Sequence, residues 1–94
     1  MPYLPLTHRV TFKTRLQKQN RFTVPKLLRW EYKMEPTEVL NVTVQVLGAM
    51  CVRESYVTKM LTEGRIVIPK FIKALLQQDV GFEIQAIEVT LEPT

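Results

Sequence analysis

Residues Asn20–Lys26 read N-R-F-T-V-P-K, and residues Gly64–Lys70 read G-R-I-V-I-P-K. The two stretches align at a spacing of 44 residues, the distance along the chain from Arg21 to Arg65. Four pairs of positions are identical at this spacing: Thr14 and Thr58, Arg21 and Arg65, Pro25 and Pro69, Lys26 and Lys70. Self-similarity at a fixed spacing predicts a tandem duplication, with repeat 1 at about 10–47 and repeat 2 at about 54–91.

Each repeat is predicted to begin with two strands joined by a tight turn. Val10, Phe12 and Leu16 alternate with polar residues, as they do in a strand with one buried face. Asn20 and Gly64 are residue types that tolerate positive φ, so each fits the turn that follows the first strand. The second strands are expected over 21–24 and 65–68.

A helix and a third strand are predicted to complete each repeat. Proline suits the first turn of a helix, which predicts helices over Pro25–Lys33 and Pro69–Gln77. Their apolar residues are expected to face the core: Leu27, Leu28, Trp30 and Tyr32 in the first helix, and Phe71, Ile72, Leu75 and Leu76 in the second. The third strands are expected over Val39–Leu47 and Phe82–Leu91. Because Ile84 is out of step with the alternation after it, a bulge is expected near Ala86.

Two repeats of this kind give six strands and two short helices in a single domain covering residues 1–94. A three-stranded half cannot cover its own edges, so the two halves are expected to close into one mostly β, six-stranded barrel built from two tandem ββαβ repeats. Residues 48–53 would join the halves. Residues 1–7, which include Pro2 and Pro5, are expected to form an extended N-terminal arm.

Composition argues against an enzyme. The 94 residues are 46% apolar and 23% charged, which is ordinary for one globular domain. There is no run of ~18 apolar residues and no signal-peptide pattern, so a cytoplasmic protein without a membrane segment is expected. His8, Cys51, Ser55 and Asp79 are each the single residue of their type, and their spacing suggests no catalytic triad. The sequence thus predicts no catalytic residues, no metal and no cofactor.

Positive charge is concentrated in the first half of the chain. Residues 1–47 contain eight Lys/Arg and three Glu, a balance of +5, whereas residues 48–94 contain five Lys/Arg and six acids, a balance of −1. A one-sided basic surface suits a polyanion such as nucleic acid. A solvated basic face with no ligand is the alternative that charge alone leaves open.

The stretch Tyr56–Lys73, Y-V-T-K-M-L-T-E-G-R-I-V-I-P-K-F-I-K, resembles the AbrB/SpoVT/MraZ group of small transcription regulators. Repeat 1 is a weaker copy, with Asn20 in place of the glycine. These regulators belong to the cradle-loop barrels, which include double-psi, RIFT and swapped-hairpin barrels. Because this chain carries both copies, it looks most like the fused archaeal relatives with RIFT-type topology.

The resemblance implies a non-catalytic protein that binds double-stranded DNA through basic side chains. Three pairs match the family's basic positions on the strand, at the turn and on the helix: Arg15 and Lys59, Arg21 and Arg65, Arg29 and Lys73. Lys26 and Lys33 extend the basic stripe of the first helix. Thr14 and Thr58 depart from the family pattern, as do Trp30 and Ala74 after the helical basic residue.

Several alternatives stay open at this point. The chain could be a protein-interaction barrel that binds no nucleic acid, its barrel could have a swapped or an unswapped topology, and it could act as a monomer or as a homodimer. The turn arginines could also serve the fold by bonding to turn carbonyls.

Overall fold

The computed structural model describes residues 8–17, 20–35, 37–48, 52–78, 80 and 83–94. The predicted N-terminal arm (1–7), Cys51 and Phe82 lie outside these residues. The described part is mostly β, with six strands: β1 (Val10–Arg15), β2 (Arg21–Thr23), β3 (Val39–Val46), β4 (Arg53–Lys59), β5 (Arg65–Val67) and β6 (Ala86–Pro93). Two α-helices, α1 (Lys26–Glu31) and α2 (Lys70–Gln78), and a short 3-10 turn (Thr62–Gly64) complete it. Neither helix is long and apolar enough to cross a membrane.

The strands form two separate antiparallel sheets, and the expectation of a closed six-stranded barrel is wrong. One sheet has the order β1-β6-β3-β4, and β2 pairs with β5 in a two-stranded ribbon. The ribbon strands are three residues long, and residues just after β1 and β4 are hydrogen-bonded to them. Gln17 N donates to Arg21 O at 2.7 Å, and Leu61 N donates to Arg65 O at 2.8 Å. Ladders this short end before they can join the ribbon to the edges of the larger sheet.

One hydrophobic core lies between the ribbon and the large sheet. Alternate residues of β3 supply its centre, and all are at most 1% exposed: Leu40, Val42, Val44 and Val46. Phe22 and Ile66 of the ribbon belong to the same cluster and are fully buried. Because the buried faces of the two sheets meet in one core, the outward face of the ribbon and that of the central strands β6 and β3 point to opposite sides of the protein.

The order strand, strand, helix, strand occurs twice, and the backbone contacts of the two halves correspond. Val24 N donates to Gly64 O at 2.8 Å, and Ile68 N donates to Asn20 O at the same distance. In the ribbon, Phe22 pairs with Ile66, its own equivalent 44 residues later. A local twofold axis therefore passes through the centre of the ribbon. The tandem duplication itself stays a prediction from the sequence.

The third strands of the two halves, β3 and β6, correspond at a spacing of 47 residues. Thr43, for example, corresponds to Thr90 and also pairs with it. Helix α2 has nine residues where α1 has six, which accounts for the three-residue difference. The last strand therefore starts at Ala86 and pairs in continuous register on both sides. The predicted bulge near Ala86 is wrong: Ile84 is out of step because it precedes the strand.

The helices bury less of their apolar surface than their sequences suggest. In α2 only Ile72 and Leu76 are buried, while Phe71 is 66% exposed. Helix α1 has no buried residue, and its Leu27 and Trp30 are 76% and 66% exposed. The prediction that these apolar residues all face the core is wrong, because only a narrow stripe of each helix contacts it.

Candidate nucleic-acid interface

The ribbon presents a small, symmetric basic face to solvent. Since Phe22 and Ile66 point into the core, the residues on either side of them point outward. The backbone register places Arg21 opposite Val67 and Thr23 opposite Arg65. The two arginines thus lie diagonally across the local twofold axis, with a separation of about 7–8 Å expected between their Cα atoms.

Two neighbouring residues widen this outward face. Gln17 bridges to Arg21 on the side of β1, and Thr23 Oγ1 donates to Gln17 Oε1 at 3.5 Å. Leu61 occupies the equivalent place in the second half, where its backbone N–H donates to Arg65 O. We call this outward surface the ribbon face, and it comprises six residues: Gln17, Arg21, Thr23, Leu61, Arg65 and Val67.

Arg65 is held in place by the turn that precedes it. Its Nε donates to the Thr62 carbonyl oxygen at 3.3 Å, and its Nη2 donates to Thr62 Oγ1 at 3.2 Å. These bonds use two of the five guanidinium N–H donors, so three are free for another acceptor. Bonding to a turn carbonyl and availability for a ligand are therefore compatible in this residue.

Arg15 and Lys59 lie at equivalent places beside the ribbon. Arg15 is the last residue of β1 and Lys59 the last residue of β4, and both side chains are exposed. Arg15 precedes Gln17 of the ribbon face by two residues, and Lys59 precedes Leu61 by two residues. The structure thus places them at opposite ends of the ribbon face.

Arg29 does not join this cluster, because the turn of the second half engages it. Its Nε donates to the Val24 carbonyl oxygen at 3.2 Å, and its side chain packs on Gly64. A Cβ on Gly64 would lie 2.6 Å from both Cδ and Nε of Arg29. Gly64 also has φ of +75°, so glycine serves both the turn and the packing of this side chain.

Lys73, the equivalent of Arg29, is engaged more loosely. Its Nζ lies 3.8 Å from Glu83 Oε1, and the Glu83 side chain is 71% exposed. Beside this pair lies an open groove of about 320 Å³ that also contacts Asn20, the equivalent of Gly64. The second half therefore leaves open space at a place where the first half inserts an arginine.

Lys26 and Lys33 lie on or next to α1. Lys26 Nζ sits 4.8 Å from the centroid of the exposed Trp30 ring, a cation–π contact. Lys33 follows the end of the helix, with φ of +51°, and is exposed. These cations belong to the helix surface and not to the ribbon face.

Sequence reasoning found Arg21 and Arg65 but missed the four residues around them. Gln17, Thr23, Leu61 and Val67 carry no charge, so a search for basic positions passes over them. The signal that finds them is the alternation around Phe22 and Ile66, combined with the pairing of the two repeats.

The comparisons with known proteins show the fold. No protein-family model and no curated protein sequence matches the chain. Its structure is similar to that of PHS018 from Pyrococcus horikoshii, which was determined in solution. The TM-score is 0.73 over 97% of this chain and 94% of that chain, at 19% sequence identity. At this identity the function has to be argued from the site.

Proposed function

We propose that the protein is a non-catalytic, AbrB-like DNA-binding protein that contacts double-stranded DNA with its ribbon face. The observation that carries the proposal is the placement of Arg21 and Arg65 on one outward face, related by the local twofold axis. The resemblance of Tyr56–Lys73 to AbrB-type regulators supports the same activity. The proposal includes a cytoplasmic location for the protein.

The shape of the face suits a duplex. The major groove of B-form DNA admits a two-stranded antiparallel ribbon, and arginine can contact either phosphate oxygens or the O6 and N7 atoms of guanine. The two antiparallel strands of a DNA duplex are related by a local twofold axis, and so are the two strands of the ribbon. A single chain therefore supplies a symmetric pair of contacts without dimerising.

The remaining predicted cations take different parts in the proposal. Arg15 and Lys59 would contact phosphates on either side of the groove, and Lys26 and Lys33 would add positive potential from the helix. Arg29 and Lys73 would act indirectly, because each packs near the turn of the opposite half and so positions the ribbon.

The test is fluorescence anisotropy with a labelled random-sequence duplex at several salt concentrations. Wild-type protein is expected to bind with an affinity that falls steeply with salt. Arg21→Gln combined with Arg65→Gln is expected to weaken binding at least about tenfold, since two charge-assisted contacts are lost. The slope of log affinity against log salt should fall by about two.

The matched control is Arg9→Gln combined with Arg53→Gln. Both side chains are exposed, and Arg9 and Arg53 precede the proposed phosphate contacts Arg15 and Lys59 by six residues, about 20 Å of extended chain. This variant has the same net charge as the test variant and is expected to bind nearly as well as wild type. Equal losses in both variants would show that net charge, and not the ribbon, governs binding.

The exposed helix faces favour a second candidate function, protein interaction without nucleic acid. Leu27 and Trp30 on α1 form an apolar surface of the kind that marks interaction sites in soluble proteins. Cross-linking in extract of the native host, with wild type and with Leu27→Ser plus Trp30→Ser, tests this function. A partner captured by wild type and lost in the variant supports it, whereas capture of nucleic acid alone contradicts it.

A further inference from the structure

The two halves of the ribbon face differ in chemistry although their backbones correspond. In the first half Gln17 and Thr23 are polar and joined by a hydrogen bond. The equivalent positions in the second half, at the spacing of 44 residues, are Leu61 and Val67. Both are exposed, Leu61 by 45% and Val67 by 40%. An apolar pair thus stands on an otherwise polar and basic surface.

The surroundings of this pair indicate what covers it. Val67 lies directly opposite Arg21 and two residues beyond Arg65 on the same face, so a guanidinium flanks it on either side. Lys59 stands two residues before Leu61 and is also exposed. A ligand that covers these side chains must offer apolar groups next to negative charge.

We propose that Leu61 and Val67 recognise the 5-methyl groups of thymine in the major groove, so that the second half of the ribbon prefers thymine-containing DNA. Thymine is the unmodified base that displays a methyl group in the major groove, close to the phosphates that arginines contact. Gln17 offers hydrogen-bonding groups, and Thr23 offers a hydroxyl beside a single methyl group, so the preference of the first half for thymine is weaker. The symmetric backbone therefore binds an asymmetric target.

This inference rests on the proposed function, and its test separates the two. Two random-sequence duplex pools are prepared, one with thymidine and one with deoxyuridine, which lacks only the methyl group. Anisotropy then gives the affinity of wild-type protein for each pool under the same salt conditions. Wild type is expected to bind the thymidine pool about three- to fourfold more tightly for each methyl group that is buried.

The matched variant carries Leu61→Gln and Val67→Thr, which are the residues that the first half has at the same positions. Because threonine keeps one methyl group, this variant is expected to lose most of the preference for the thymidine pool. The reverse variant, Gln17→Leu with Thr23→Val, is expected to increase the preference for thymidine. Circular dichroism of each variant verifies that the fold is kept.

The outcomes distinguish the two proposals. Tight, salt-dependent binding of wild type to both pools without preference overturns the recognition of methyl groups and leaves the DNA-binding proposal standing. A Leu61→Gln, Val67→Thr protein that is folded and keeps the full preference of wild type also overturns it. Failure of wild type to bind either pool overturns both proposals.

Discussion

The helix of each half packs near the turn of the other half, and the two contacts are built differently. In one, Arg29 lies against Gly64 and donates to the Val24 carbonyl. In the other, Lys73 lies beside Asn20. An open groove lies there, at the place that corresponds to the Arg29 side chain of the first contact. Gly64 leaves room for the large Arg29 side chain and its hydrogen bond. Asn20 lies beside a lysine, which has a slimmer side chain. Equivalent backbone positions therefore carry matched pairs of residues, and each pair has to be understood together.

The largest effect is expected from Gly64→Ala. Its Cβ would meet Arg29 Cδ and Nε at 2.6 Å, and its φ of +75° is unfavourable for alanine. Strain at this φ and displacement of Arg29 from its carbonyl partner together predict a loss of about 2 kcal/mol, measured by denaturant unfolding. Asn20→Ala is the comparison, because it tests a positive φ of 55° at the turn beside which a lysine, Lys73, lies in place of the arginine.

A double-mutant cycle shows whether the two residues act as a pair. In the background of Arg29→Ala, Gly64→Ala is expected to cost about 1 kcal/mol, since only the backbone strain is left. An unchanged cost in that background would contradict the pairing of Arg29 with Gly64.

A smaller difference is expected between Arg29→Ala and Lys73→Ala. Arg29 is half-buried and donates to a carbonyl, so its removal is expected to destabilise the protein by about 1–1.5 kcal/mol. Lys73 pairs at 3.8 Å with a carboxylate that is largely exposed, and such pairs contribute about 0–1 kcal/mol. Thermal unfolding of the two variants under identical conditions measures the difference. Equal shifts of Tm would remove the distinction between the two contacts.

The smallest effect concerns Phe12 and its equivalent, Tyr56. The Tyr56 hydroxyl is buried and has no hydrogen-bond partner within the described residues, and burial raises the pKa of this phenol above its ordinary value of 10.0. Tyr56→Phe is expected to leave stability at neutral pH unchanged or to raise it by up to about 1 kcal/mol.

The difference between wild type and Tyr56→Phe should grow in alkali. The raised pKa means that the folded state keeps the phenol neutral while the unfolded state ionises it. The contribution of the neutral Tyr56 phenol to the free energy of unfolding is therefore present below pH 10 and is lost as pH rises above that value. Urea unfolding of both proteins across this range measures the loss, and parallel curves would contradict the burial of this hydroxyl.

The sequence predicts local structure well where a single segment decides it. The alternation of Leu40, Val42, Val44 and Val46 predicts β3 and its buried face, and both are confirmed. The positive φ values expected for Asn20 and Gly64 are confirmed as well. These features depend on residue type and period alone.

Features that depend on contacts between the halves could not be predicted in this way. Barrel closure depends on the length of the ladders that flank the ribbon, and three-residue strands such as Arg21–Thr23 end before the sheets can join. The exposure of Trp30 depends on how much of α1 meets the core. Likewise Arg29 is a basic helical residue in the sequence, and its engagement by Gly64 appears only when the second half is folded against the first.

The most direct test of the central claim is the mapping of the bound surface by NMR. Amide shifts of isotope-labelled protein are followed during titration with a short DNA duplex at low salt. The proposal predicts that the largest changes lie in Arg21–Thr23, Arg65–Val67 and the adjoining Gln17 and Leu61, while the middle of β6, on the far sheet, stays unchanged. Changes confined to α1 or to the outward face of the large sheet, with the ribbon unaffected, would contradict it.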